Sequence, residues 1–402
     1  MSKHYIFFTK RVLPKPNVAS LVQVVHSANA AANLGYSTVL VYLRKEKETG
    51  GFNPLEFFSP FHPQKPETQL IKQYNIQEKL KVSPLPMPWP INAKWGGKWT
   101  NSSTITSKYY FPIHILPQTK IVHTREWNFA KAAIKHGVPV IYEQHHHDDK
   151  KFPPEIVASP LFQIAVTVAD TVRESMIKNG MPSEKVIKLH NGFNELFLSR
   201  HEKEAAEWRE KLIKDEGQHL VVYSGGLHPF KGVDMLIDVA KELPKIQFVF
   251  AGGSESQVKE YQEQAREKQV NNVNFLGYQP QNKLASLLQA ADALAHPHCL
   301  TQAATFTSPL KFFDYMASGT PIAATEIPPL MEFKQSNIAV GWCEPDNPIL
   351  FARCIEGVLS TYPRKPEGYS ETIKFASQFS CENRIAKILS YVEESMRPQL
   401  VN

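Results

Sequence analysis

Short apolar runs alternate with amphipathic stretches along most of the chain, and the period switches between that of a strand and that of a helix each time. Tyr5 to Thr9 reads as a strand. Val18 to Leu34 then carries Leu21, Val22, Val25, Ala28 and Ala32 at helical spacing and stops at Gly35, a residue suited to a helix C-terminus. Ser37 to Leu43 reads as a second strand, which completes a βαβ unit with its ligand side at the strand C-termini. Lys120 to His123, Val138 to Tyr142, Ile164 to Val168 and Val186 to Leu189 read as further strands. The alternation pauses at Asn191-Gly192 and restarts beyond a polar, helix-prone stretch, Glu202 to Asp215. From there strands are expected at Leu220 to Ser224, Gln247 to Ala251, Val273 to Leu276, Ala293 to His296 and Pro321 to Ala324. Helices are expected at Val233 to Glu242, Glu255 to Lys268, Lys283 to Ala290 and Pro309 to Ala317. Glu371 to Met396 closes the chain as an amphipathic helical segment. The pattern is α/β, with two doubly wound parallel sheets facing each other across a cleft, an arrangement suited to a nucleotide-linked substrate.

Composition agrees with two packed cores. The chain has 402 residues, 42% apolar and 21% charged, too long for one ordinary core and neither disordered nor fibrous. The longest apolar runs are strand-sized, so no membrane-spanning helix is expected. Tyr5 to Phe8 is too short for a secretory signal, so a cytoplasmic location is expected. Cys299, Cys343, Cys354 and Cys381 show no close pairing or metal-ligand spacing, which predicts reduced thiols. Charge separates the halves: residues 1–192 hold 24 Lys and Arg against 13 Asp and Glu, a net +11, and the remainder is −5. A basic first half fits an anionic acceptor, peripheral contact with an anionic membrane face, or a solvated basic surface. No nucleic-acid partner is expected.

Pro84 to Trp99, PLPMPWPINAKWGGKW, interrupts the pattern and cannot be a regular helix. Its tryptophans, Trp95 among them, and its lysines suit an acceptor-binding loop, a bilayer-touching element or a loop folded onto its own domain. Ser224 to Gly232, SGGLHPFKG, joins a strand to a helix. Its glycines would let backbone amides approach a phosphate and Lys231 would neutralise charge, or the segment is a tight structural turn. Ser308 is expected to cap a helix with Pro309 at its first position and Asp314 nearly two turns on, placed for ribose hydroxyls or as a surface acid. His145-His146-His147-Asp148-Asp149 has ligand chemistry, but adjacent residues point apart, and no metal site is expected. Arg125, at a strand end, is read either as an anion-binding group or as a structural ion pair with Glu126 or Glu143.

The runs YSGGLHPFKGVDMLI, FLGYQPQNKLASLLQAADALAHP and SPLKFFDYMASGTPIAATEIP resemble the donor domain of the family 4 retaining glycosyltransferases (glycosyltransferase group 1), across roughly residues 164–340. The first half is similar more loosely, in NVASLVQVVHSANAAANLGYSTVLV and VHTREWNFAKAAIKHGVPVIYEQHH. The resemblance implies a GT-B fold of two Rossmann-like domains. They would be residues 1–192 on the acceptor side, 193–375 holding the nucleotide sugar, and a C-terminal helix, 376–402, returning to the first domain. It implies that Gly225, Gly226 and Lys231 bind the donor diphosphate, bordered by Ser308, Pro309, Leu310 and Lys311, with Tyr278 beside the base and Asp314 on the ribose. His145 would face the transferred sugar, and His145, Lys231 and Asp314 are the catalytic candidates. Asn17, Trp95 and Arg125 are the acceptor-side candidates.

Three positions depart from the family pattern. Phe306 stands where the first of two glutamates is usual, Gly226 replaces a frequent arginine, and Asn17-Val18-Ala19-Ser20 replaces a glycine pair. The expected activity is metal-independent transfer, with retention, from a nucleotide sugar to a glycan, lipid-linked or small-molecule acceptor. The donor is a UDP-sugar ahead of a GDP-sugar, and no further cofactor is expected. A nucleotide-sugar-binding protein with lost or reduced catalysis is the alternative that Phe306 keeps open.

Overall fold

The computed structural model describes residues 3–15, 18–44, 58–87, 101–215, 217–306 and 308–400. They form two units, 1–190 with 381–402, and 191–380. Each is built on its own parallel sheet.

The first unit holds β1 (His4–Val12), β2 (Thr38–Leu43), β3 (Lys81–Leu85), β4 (Thr119–Thr124), β5 (Val140–Glu143), β6 (Phe162–Thr167) and β7 (Val186–Lys188), in the order β3-β2-β1-β4-β5-β6-β7. Every pairing is parallel. Strands such as β2 are buried at every position, as expected for a sheet covered on both faces. Strand order reverses between β1 and β4, the switch point at which open α/β sheets bind ligands. The helix Ala19–Asn33 packs one face of this sheet, and Gly35 beyond it takes a left-handed φ of 93°. The helix Cys381–Ser390 joins the same core through Ile385, Ile388 and Leu389, each worth about 1.5–3 kcal/mol of apolar burial.

The second unit holds β8 (His219–Ser224), β9 (Ile246–Ala251), β10 (Val273–Gly277), β11 (Ala293–His296), β12 (Ile322–Thr325) and β13 (Val340–Cys343), in the order β10-β9-β8-β11-β12-β13. Its switch point lies between β8 and β11. Separate apolar clusters pack the sheet through the helices Gln281–Ala290 and Leu310–Ser318 in one case and Val233–Glu242 in the other. Both sheets are thus of the doubly wound Rossmann-like type that the apolar pattern predicts.

Several local expectations are corrected. Pro84 and Leu85 belong to β3 rather than to an irregular segment. That strand stands at the end of the sheet order, beside β2 and bridged on its other side by Gln64 to Val82, and a missing proline N–H is tolerated there. The rest of the Pro-Trp-rich segment, residues 88–99, lies outside the described residues. The helix Thr68–Tyr74, the π-helical segment Ile105–Ile115, β13 and the helix Pro348–Thr361 were not anticipated. The closing segment is two helices, Ser370–Ser377 and Cys381–Ser390, and the division between units falls between them. Ser308 does not cap the helix that follows. Pro309 holds the cap position, while the Ser308 hydroxyl accepts from the Asn191 amide at 3.0 Å and its carbonyl accepts from Asn191 Nδ2 at 2.8 Å.

Candidate functional site

In the first unit, β5 runs into Glu143-Gln144-His145 at its C-terminal end, and a polar network closes around Glu143. The carboxylate, 2% exposed, accepts from His123 Nε2 at 2.7 Å, His145 Nε2 at 2.5 Å, Gln23 Nε2 at 3.1 Å and both Arg384 Nη atoms at 2.9 and 3.1 Å. Tyr5 donates its hydroxyl to His123 Nδ1 at 2.8 Å. Burial alone would raise the Glu143 pKa, but Arg384 and the hydrogen bonds from His123 and His145 hold it well below the usual carboxylate range. Burial, with the charge of Arg125 behind it, lowers His145 to about 3 against the pull of Glu143. His145 is therefore neutral near pH 7, with its proton on Nε2 toward Glu143 and a lone pair on Nδ1.

Arg125 follows β4 and lines a recess with Gln23, Ser27, His123 and Glu143. The ion pair with Glu126 or Glu143 that its sequence position suggested does not form: Glu126 pairs with Lys10 at 2.9 Å, and Glu143 with Arg384. Asn17 and Trp95, the other acceptor-side candidates, lie outside the described residues. In the histidine-rich run, Asp148 pairs with Lys150 at 2.9 Å. Among the described residues no group of three or more His, Cys, Asp and Glu side chains is placed to hold a metal ion.

In the second unit the segment after β8 is shaped by glycines. Gly225 has φ 153°, and Tyr223 donates its hydroxyl to the Gly226 carbonyl at 2.9 Å. Gly252 faces this turn so closely that a Cβ there would stand 1.9 Å from the Gly225 carbonyl oxygen. The Lys231 ammonium lies 3.8 and 3.9 Å from where Cβ atoms on Gly225 and Gly226 would be. Among the described residues it has no hydrogen bond or ion pair, and it stands 5.9 Å from the centre of the Phe230 ring. Burial, reinforced by the like charge of Lys311, lowers Lys231 to about 8. Lys311 donates to Asp314 Oδ2 at 3.0 Å. Burial raises the Asp314 pKa and Lys311 opposes that. Gly225, Gly226 and Lys231 are thus together, and Ser308, Pro309, Leu310, Lys311 and Asp314 line the start of the helix Leu310–Ser318. Tyr278 is a partly exposed ring just beyond β10, 39% accessible.

Two residues were missed. His296 and His298, at the end of β11, stack with centroids 4.1 Å apart. Both are buried, and among the described residues neither ring nitrogen of His296 nor Nδ1 of His298 has a hydrogen-bond partner. Burial, with Lys231 adding to it, lowers His296 to about 3; burial, His296 and Lys231 hold His298 well below its ordinary value. Ala-His-Pro-His at the C-terminal end of a strand beside the switch point was the available signal.

Residues 204–374 match the family model described as Glycosyl transferases group 1. The match falls wholly within the second unit. It accounts for most of that unit. The chain is 24% identical over 273 residues to the uncharacterized glycosyltransferase MJ1607 of Methanocaldococcus jannaschii, covering 60% of this chain and 66% of that protein. It is 30% identical over 142 residues to the alpha-galactosylglucosyldiacylglycerol synthase of Streptococcus pneumoniae, 35% of this chain and 33% of that one. The chain therefore spans just under two thirds and one third of these curated relatives. The solved structure of Anabaena HepE with UDP and glucose superposes with a TM-score of 0.66 at 18% identity, over 96% of this chain and 99% of that one. HepE has also been solved with UDP-glucose. At that identity the likeness is one of fold: two Rossmann-like domains of the GT-B type.

Proposed function

We propose that the protein is a family 4 retaining glycosyltransferase that takes a sugar from a UDP-sugar without a metal ion and passes it to an acceptor hydroxyl. The observation that carries the reading is Lys231: a desolvated amine with no anionic partner among the described residues, beside glycine backbone that can approach a diphosphate. The UDP and UDP-glucose complexes of the structural neighbour support uridine as the base, and no comparison supports the GDP-sugar alternative. Residues 193–375 would hold the donor, with Gly225, Gly226, Ser308, Pro309, Leu310 and Lys311 around the diphosphate, Tyr278 at the base and Asp314 at the ribose. Residues 1–192 would present a glycan, a lipid-linked group or a small molecule, with peripheral membrane contact where the acceptor is a lipid. As the anomeric carbon–oxygen bond to the diphosphate breaks, Lys231 stabilises the negative charge that develops. The acceptor oxygen forms the new bond on the same face, and its proton passes to the departing diphosphate. Neutral His145, oriented by Glu143, offers Nδ1 to a hydroxyl of the sugar.

Phe306 favours a second reading, a binding protein with reduced catalysis. Thermal unfolding with UDP and UDP-glucose, with and without EDTA, tests the first step. Ligand at about 100 times its Kd should add roughly 2.7 kcal/mol. A rise that survives EDTA and is lost in Lys231→Ala supports the donor site; no rise with either ligand removes it. Release of UDP from UDP-glucose then separates a transferase from a binding protein.

A further inference from the structure

The recess at the C-terminal ends of β1 and β4 carries a charge that no described side chain pairs with. It is lined by Gln23, Ser27, His123, Arg125 and Glu143 and opens to solvent. Arg125 keeps some exposure to the recess and is otherwise enclosed, and burial lowers its pKa. Among the described residues its guanidinium makes no hydrogen bond and no ion pair. The one acid of the recess cannot serve it, because Glu143 is already taken by Arg384, His123, His145 and Gln23. A second unsatisfied group stands in the same place. Gln23 spends its amide on Glu143 and on Ser27 Oγ at 3.2 Å, which leaves its buried Oε1 with no donor.

An enclosed guanidinium without a counter-ion is costly, and its planar fork matches the paired oxygens of a phosphate or carboxylate. The unpaired amide oxygen beside it accepts from a hydroxyl. We propose that this recess binds the acceptor through an anionic group, a phosphate monoester or carboxylate on a hydroxylated molecule, with Arg125 as the residue that selects for the charge. The role as acceptor rests on the glycosyl-transfer reading. The anion site itself rests on the first unit alone. His145 lies within the field of Arg125, so an anion held there would sit beside the proposed sugar contact.

Calorimetric titration of the full chain with glucose 6-phosphate, glucuronate and glucose tests it. Vesicles of equal parts phosphatidylcholine and phosphatidate present the same group from a lipid. The acids should bind at least about tenfold more tightly than glucose, and Arg125→Gln should lose that margin, with Arg125→Lys between the two. Binding to the phosphatidate vesicles alone, lost in Arg125→Gln, would support the lipid source of the same group. Arg125→Gln should keep its thermal stability, since no native partner is removed. Equal binding of glucose and the acids, acid binding that survives Arg125→Gln, or no anionic ligand bound would overturn the proposal. So would a loss of stability in Arg125→Gln, which would give the arginine a structural role. UDP titrated separately keeps the readings apart. Acids bound without UDP would leave the anion site standing and remove the donor site, and UDP bound without acids would do the reverse.

Discussion

Arg384 grips Glu143 with both ends of its guanidinium, at 2.9 and 3.1 Å, across 241 positions of sequence. The pair ties the helix Cys381–Ser390 to the end of β5, and through Glu143 it sets the ring of His145. Arg384→Ala would leave a buried carboxylate uncompensated, and a loss of about 3–5 kcal/mol is expected in urea unfolding. Arg384→Ala combined with Glu143→Gln should recover part of that loss, because the stranded charge is gone. A single variant as stable as the parent would show that the pair contributes little.

Gly232 cannot be replaced. Its φ is 73°, and a Cβ would stand 1.8 Å from the Pro297 carbonyl oxygen, backbone that cannot swing aside. Gly232→Ala should lose at least about 2 kcal/mol, from the sum of strained backbone and displaced β11. Gly217 offers the control. Its φ of 80° carries the same conformational penalty, but nothing lies within 4 Å of its Cβ position. Gly217→Ala should therefore cost only about 1 kcal/mol. Equal losses in the two variants would mean that the close approach to Pro297 carries no energy of its own.

Much of the fold is legible because a buried parallel strand is a run of apolar residues and its covering helix is an amphipathic one. β1, β2 and β4 to β12 all announce themselves in that way. β13 does not, because Gly341 breaks its run. That glycine is needed where it is, since a Cβ would come within 2.4 Å of Val358 on the helix behind it. β3 is hidden by a proline that the end of the sheet order tolerates. At the candidate site, Gly225, Gly226 and Lys231 are visible as a glycine turn followed by a cation. The Glu143 network is not, because it gathers Gln23, His123, His145 and Arg384 from four separate segments. Nor could sequence decide between the two readings of Arg125, since the acids it might have paired with turned out to be engaged elsewhere.

Acid should weaken the protein through its buried neutral histidines. His145 and His296 are each lowered to about 3, against an ordinary value near 6.5. Between those values the unfolded chain binds protons that the native one refuses, so stability falls as pH drops below about 6.5, by about 1.4 kcal/mol per pH unit for each group. Glu143, held low, loses its stabilising contribution in the same direction. His296→Phe keeps an aromatic ring in place and removes one titrating group. Urea unfolding at pH 7 and pH 5 should therefore show a shallower acid loss in this variant, and an unchanged loss would mean that His296 is not the group responsible.

Lys231 makes the opposite prediction on the alkaline side. Burial and Lys311 bring it down to about 8, so the amine carries its charge at pH 7 and loses it as pH rises through that value. The diphosphate of UDP keeps its full negative charge over the same range, because its terminal phosphate titrates near pH 6. Affinity for UDP should thus be highest near pH 7 and fall by roughly threefold by pH 8.5, below the range in which the uracil imide ionises, on the way to the tenfold scale of one charge-assisted hydrogen bond. The fall grows with the amount by which the bound diphosphate raises the pKa of the amine, because only a group whose pKa changes on binding makes binding depend on pH. Lys231→Arg supplies a cation that does not titrate in this range and should flatten the profile, whatever affinity it retains. Lys231→Ala should be weak at both pH values. A wild-type profile as flat as that of Lys231→Arg would place the diphosphate elsewhere in the domain.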